Sequence, residues 1–178
     1  MKRIKILALS SFALSMSAFV PTQTFAQSAK LTDPEIASVA VVANQNDIDF
    51  ANIAKTKSKN ANIIKFAETM ATDHKSVIDQ AVALVTKLKV TPQGNATSKK
   101  LSSDAANTKK MLSSKSGAAF DKAYIDNEVA YHKAVITEVE GVLIPDATNS
   151  ELKSLLQNVL PVLKTHLDHA EMVQKNLK

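Results

Sequence analysis

Residues 63–88 read IIKFAETMATDHKSVIDQAVALVTKL. Steps of four and three alternate through Ile63, Ala67, Met70, His74, Val77, Ala81, Leu84 and Leu88. That spacing keeps every member on one side of a helix, the pattern of a helix packed lengthwise against others. All positions in the series are apolar except His74. A run of this length with one apolar stripe predicts a helix of a bundle, from about Asn60 to Lys89, ended by the break VTPQGNATS.

The same count works outward along the chain. Thr32-Asp33-Pro34-Glu35 announces an earlier helix, with a capping residue, a first-turn proline and an acid near the positive helix end. It is expected to reach about Lys57 and to turn near Ser58-Lys59-Asn60. Its stripe is Ile36, Ala40, Ala43, Asp47, Phe50, Ala54. A third helix over about Ala118–Leu143 carries Ile125, Val129, His132, Ile136, Val139, Leu143. IPDATNSE then supplies a turn and a cap for a fourth, Ser150–Asn176, with Leu152, Leu156, Val159, Leu163, His166, Ala170, Val173, Leu177. No segment alternates with the period of a strand. Between the second and third helices lie some 28 residues, polar and serine-rich, with Leu101, Ala105 and Met111 as thin apolar contacts. They are read as a crossover containing a short extra helix. Two helical hairpins joined by one long crossover make an all-α, ferritin-like four-helix bundle.

The N-terminal stretch MKRIKILALSSFALSMSAFVPTQTFA has a basic start, an apolar middle broken by serines, and small residues before Gln27. It reads as a secretory signal peptide over residues 1–26, leaving a single bundle domain over 27–178. The apolar run is too short for a bilayer span, so no transmembrane segment is expected in the mature chain. The expected location is the periplasm or outer cell envelope. The chain has no cysteine, which excludes disulfides, lipid attachment through cysteine, and thiolate metal sites. The formal charge is +5; losing the three cations of the signal, and no acids, leaves +2. The sole arginine, Arg3, goes with it. A lysine-only surface without stacking aromatics argues against nucleic acid as a partner.

Each of the four stripes is interrupted once by an ionisable residue: Asp47, His74, His132 and His166. A polar group buried in a bundle costs roughly 1–3 kcal/mol unless partnered, and four of them, one per helix, can satisfy each other only by converging. Three imidazoles and a carboxylate suit a divalent cation, zinc or copper, with iron less favoured. Folding the first hairpin about residue 58 leaves Asp47 and His74 about 6 Å out of axial register. His132 and His166 look similarly offset. Glu128, one turn before His132 on the same side, lies nearer the level of His166. The set Asp47, His74, Glu128 and His166, with His132 and His169 at its margins, is therefore an equal alternative. His169 lies off the stripe beside Asp168. Met70 and Met172 read as packing rather than soft ligands, Asp73 as a solvated or orienting acid, and Asp49 as a surface acid. Tyr124 and Tyr131 are expected to hydrogen-bond from the bundle edge, and Pro161 to kink the fourth helix.

The stretches ANQNDIDFANIAKTKSKNANIIKFAETMATDHK, FDKAYIDNEVAYHKAVI and LKSLLQNVLPVLKTHLDHA resemble a bacterial envelope family, domain of unknown function 4142, of the ferritin-like clan. The resemblance rests on the M-x-x-D-H of the second helix, the F-D-x-x-Y…H of the third and the L-P…H of the fourth. It implies an exported helical bundle, with glutamate more usual where Asp47 stands. Ferritin-like di-iron enzymes carry two Glu-x-x-His motifs; here Ala71 and Leu163 stand three residues before His74 and His166, so the resemblance does not extend to di-iron chemistry. The expected function is non-enzymatic binding of zinc or copper, for sequestration or buffering in the envelope. The alternative is an envelope stress or interaction protein with structural core histidines; a metal oxidase is the least supported.

Overall fold

A computed structural model describes residues 30–177; the signal-peptide reading lies outside them. Four long helices, α1 (Asp33–Lys57), α2 (Ala61–Leu88), α4 (Gly117–Glu138) and α6 (Ser150–Asn176), form the bundle, and α3 (Ala96–Ser113) lies in the crossover. Among the described residues there is no strand, and no helix is long and apolar enough to cross a membrane.

The helix ends follow their local chemistry. At the start of α1 the Glu35 carboxylate accepts from the Thr32 N–H (2.9 Å), closing a capping box in front of Pro34. Asn60 Oδ1 accepts from Asn62 N–H and Ile63 N–H to open α2. Asn149 does the same for α6. The turn into α6 is tied to the start of α1: Asp33 accepts from the N–H groups of Thr148 and Asn149, and Asp146 accepts from Leu31 N–H.

The crossover is more ordered than its composition suggests. Its helix α3 has 18 residues and packs on α1. Asn95 caps it through a hydrogen bond from Ser98 N–H and also donates to the Glu35 carbonyl. Asn46 donates to the Leu101 carbonyl, and Lys109 pairs with Asp49 at 2.7 Å. Asp49 is therefore an anchor for α3. The apolar register is Leu101, Ala105, Thr108, Leu112: Leu112 is fully buried, whereas Met111 is exposed. Taking Met111 as the contact placed the stripe one residue too early.

The third bundle helix also departs from expectation near its end. After Glu138 the chain makes a π-helical turn over Val139–Leu143, leading into a short helix α5 (Ile144–Asp146). A π turn inserts one extra residue and rotates the helix beyond it; Gly141 sits within it. Helix α6 runs without interruption through Pro161, whose ring is exposed, so the missing hydrogen bond falls on the solvent side.

Two apolar clusters fill the bundle. Phe50, Phe66, Phe120, Tyr124, Met70 and Ile125 pack the half nearest the α1–α2 turn. Ile36, Val39, Ile136, Leu143, Leu156 and Leu163 line the other half, which contains no aromatic residue. Between the two halves, on all four bundle helices, lie the ionisable stripe residues.

Candidate metal centre

His74, His132 and His166 are all buried, and their rings gather with centroids 5.1–5.6 Å apart. One nitrogen from each lies within 4.8 Å of the other two. Asp47, fully buried, brings Oδ2 to 3.4 Å from His74 Nε2 and 3.7 Å from His132 Nε2. Asp47, Glu128 and His132 form a second compact group sharing one histidine with the first. The four stripe residues and Glu128 are thus brought together, and both sequence alternatives describe parts of one cluster.

The axial offset expected between Asp47 and His74 is closed by side-chain direction. Cα–Cβ bonds tilt toward the N-terminus of their own helix. Because α1 and α2 are antiparallel, Asp47 leans away from the connecting turn while His74, farther from that turn, leans back toward it. The same convergence brings His132 of α4 and His166 of α6 together.

The outer nitrogen of each imidazole is held by a group that can only accept. His74 Nδ1–H donates to Asn44 Oδ1 at 2.7 Å, and the amide orientation of Asn44 is set by its own donation to the Ala40 carbonyl. His132 Nδ1–H donates to the Glu128 carbonyl at 3.0 Å. His166 Nε2–H donates to Asp73 Oδ2 at 3.0 Å. Each bond fixes a tautomer and leaves a bare lone pair on the inner nitrogen. Those inner atoms, His74 Nε2, His132 Nε2 and His166 Nδ1, have no protein hydrogen-bond partner, nor do the Asp47 and Glu128 carboxylate oxygens. The three imidazole lone pairs therefore face the interior of the cluster unpaired.

Burial governs the protonation of these groups. It pulls His74 down to about 4, against the opposing charge of Asp73. His132 and His166 are lowered by burial as well, more than Asp47 and Asp73 respectively restore. Burial raises Asp47 to about 6, with His132 opposing. Glu128 is held well above the usual carboxylate range by burial and then by Asp47. Although Asp47 and the histidines stand near ion-pair distance, desolvation drives both partners toward their neutral forms.

Other expectations are revised. His169 joins neither group; half-buried, it packs edge-on against Phe66 at 5.1 Å between centroids. Tyr124 is fully buried rather than at the edge, its hydroxyl without a partner and its ionisation suppressed by burial and by Glu128. Tyr131 does donate, to the Ala43 carbonyl at 2.9 Å. Met70 is core, but Met172 is exposed. Sequence reasoning missed Asn44. Its signal was present: it lies three residues before Asp47, on the same face.

A cavity of about 440 Å³ adjoins the cluster on the aliphatic side. Asp47, His74 and His132 form part of its wall, valines and leucines of all four bundle helices most of the rest, with Ala40, Ala43 and Ala81 among them, and the exposed Lys100 and Asp104 of α3 flank it. Sealed and empty, a void of this size would cost about 10 kcal/mol, at about 24 cal/mol per Å³, as much as many domains have in total. It is a pocket reached from outside.

A model of the family "Domain of unknown function (DUF4142)" matches residues 19–173. The chain belongs to this family. Among solved structures, this DUF4142 chain is similar to "CopM in the Cu(II)-bound form", with a TM-score of 0.65 and 15% identity over 84% of this chain and 100% of that one. At that identity the likeness establishes a shared helical fold. No curated protein matches the sequence.

Proposed function

We propose that this DUF4142 protein binds a divalent transition metal, zinc or copper, and buffers or sequesters it in the cell envelope. His74, His132 and His166 are the ligands, Asp47 stands beside them as the charge-balancing carboxylate, and Glu128 lies on the far side of His132. One observation carries the reading: three oriented imidazole lone pairs converge beside a buried carboxylate, and none of these atoms has a hydrogen-bond partner. Imidazole lone pairs cannot satisfy one another, whereas a cation takes all three at once and is balanced by the charge of Asp47. The orienting contacts from Asn44, the Glu128 carbonyl and Asp73 are of the kind that accompany ligating histidines. The Cu(II) in the fold relative CopM adds weight to copper as a candidate. The envelope location rests on the N-terminal segment of residues 1–26. His169, expected at the margin, has no part in the proposed set.

The test is titration of zinc and copper into tag-free, metal-stripped protein by calorimetry, with melting in the presence and absence of chelator. Uptake of one ion that raises the melting temperature is expected. Protein that takes up neither ion and melts identically in chelator refutes the metal site.

A further inference from the structure

We propose that the hollow half of the bundle binds a medium-chain carboxylate, its chain in the cavity and its head group against the metal ion; this rests on the metal reading above. The two halves of the core differ in kind. Where the half nearest the α1–α2 turn holds Phe50, Phe66 and Phe120, the other half sets valines and leucines around the small Ala40, Ala43 and Ala81. Protein interiors are close-packed and hold few voids larger than a water molecule. The room of about 440 Å³ falls in the range of small-molecule pockets, about 300–1,000 Å³.

The wall is mostly apolar between two polar ends, with Asn44, Thr97, Tyr131 and the half-buried Glu138 as further polar groups. At the inner end stand Asp47, His74 and His132, each at least nine-tenths buried, with unpartnered atoms. At the outer end are Lys100 and Asp104, which neutralise one another at 2.6 Å. Ala40 and Ala81 face the cavity, each seven residues from the site residue on its own helix, Asp47 and His74. Two helical turns make a channel of about 10 Å. An elongated apolar chain with one polar end fits that shape.

The charge of the inner end selects the head group. A dication beside three neutral imidazoles and the Asp47 carboxylate retains one net positive charge in a low-dielectric wall. Three imidazole ligands also leave zinc or copper a position open to an outside donor. A monoanionic oxygen donor meets both conditions, and a neutral alcohol meets only one.

The experiment titrates zinc first and then decanoate into the same full-length mature protein by calorimetry. Parallel runs use chelator-treated protein, decanol in place of decanoate, and the variants Ala81→Phe and Ala40→Phe, whose helicity and zinc affinity report folding. Decanoate is expected to bind zinc-loaded protein about tenfold or more tighter than metal-free protein, and tighter than decanol. Either phenylalanine should weaken decanoate about tenfold or more while zinc affinity is unchanged. Copper-loaded wild type supplies a readout that needs no variant: the paramagnetic ion should broaden the C1 carbon resonance of decanoate more than its terminal methyl. Normal zinc uptake without decanoate binding, equal binding with and without metal, or stronger broadening of the methyl would overturn this inference and leave the metal site standing. Failure of the first titration overturns both.

Discussion

Asp47→Asn separates the cost of the cluster from its use. In the folded chain the Asp47 carboxyl is raised from 3.8 to about 6 by burial. At 1.36 kcal/mol per pH unit, keeping it ionised at neutral pH costs the metal-free protein about 3 kcal/mol. Asparagine has the same shape, carries no charge, and offers an N–H toward His74 Nε2 and His132 Nε2, the two acceptors nearest Asp47. Metal-free Asp47→Asn should therefore be more stable than wild type at pH 7.5 by up to about 3 kcal/mol, roughly 6–12 °C in melting temperature for a chain of this size. The sign comes from proton binding: between pH 3.8 and about 6 the native state holds a proton on Asp47 that the unfolded state has lost. The penalty is complete above that window and absent below it, so the advantage of the variant should shrink toward zero on acidification. Zinc or copper should narrow the difference, because wild type gains about 2.7 kcal/mol at a free ion concentration of 100 Kd, and the variant, short of one charge, gains less. Urea unfolding at pH 7.5 and 4, with and without metal, measures all four states. A metal-free variant less stable than wild type at both pH values would refute the argument, since Asp47 would then be satisfied by partners inside the protein.

The same geometry sets three further outcomes, and the N-terminal segment a fourth. In metal-free wild type the lowered histidines, His74 down to about 4 among them, contribute stability present above about pH 6.5 and lost as the pH falls toward 4; Asp47 works against this, so the melting temperature of Asp47→Asn should fall more steeply over that interval. Asp73→Ala removes the acceptor that orients His166 and should lower metal affinity roughly 10–100-fold by calorimetry, with little change in metal-free stability. His166→Leu should abolish tight metal uptake yet leave the metal-free protein at least as stable, because the inner nitrogen it removes has no partner and Asp73 can turn to water; His169→Leu should leave metal affinity unchanged. Exported protein should begin at or near Gln27 by mass spectrometry, and an intact Met1 on that form would contradict the signal-peptide reading.

The bundle was legible because burial imposes a period, and a period survives in the order of residues. Ile63 to Leu88 shows it without interruption, and the helix ends at Asn60 and Asn149 carry their own caps. What failed was local. The crossover helix was expected as a short one, and the full length of its 18 residues hides behind serines and lysines because α3 touches the bundle on one narrow face. Its place is fixed by polar ties, Asn46 to the Leu101 carbonyl and Lys109 to Asp49, which no hydrophobic count registers. The π turn at Val139–Leu143 gives no periodic signal either, since a single inserted residue looks like a helix that continues.

The site was legible in its residues and not in its geometry. Four ionisable interruptions, one per stripe, mark Asp47, His74, His132 and His166, but counting along helix axes sets them about 6 Å apart. The count treats each residue as a point on the axis. Each side chain in fact leaves its helix toward that helix's own N-terminus, so partners on antiparallel helices meet when each lies a few residues beyond the level of the other. Asp47 and His74 do so across the first hairpin, His132 and His166 across the second. The offset read as a weakness is thus a condition for contact, and residues at equal levels would have leaned past one another. The same reasoning extends to Asn44 and Glu128. Asn44, three residues before Asp47 on α1, is placed to meet the outer nitrogen of His74. Glu128, four residues before His132, meets His132 with its carbonyl while its carboxylate stays within the second group. The five clustered residues and their orienting contacts arise from the antiparallel pairing of two hairpins, which the hydrophobic stripes already required.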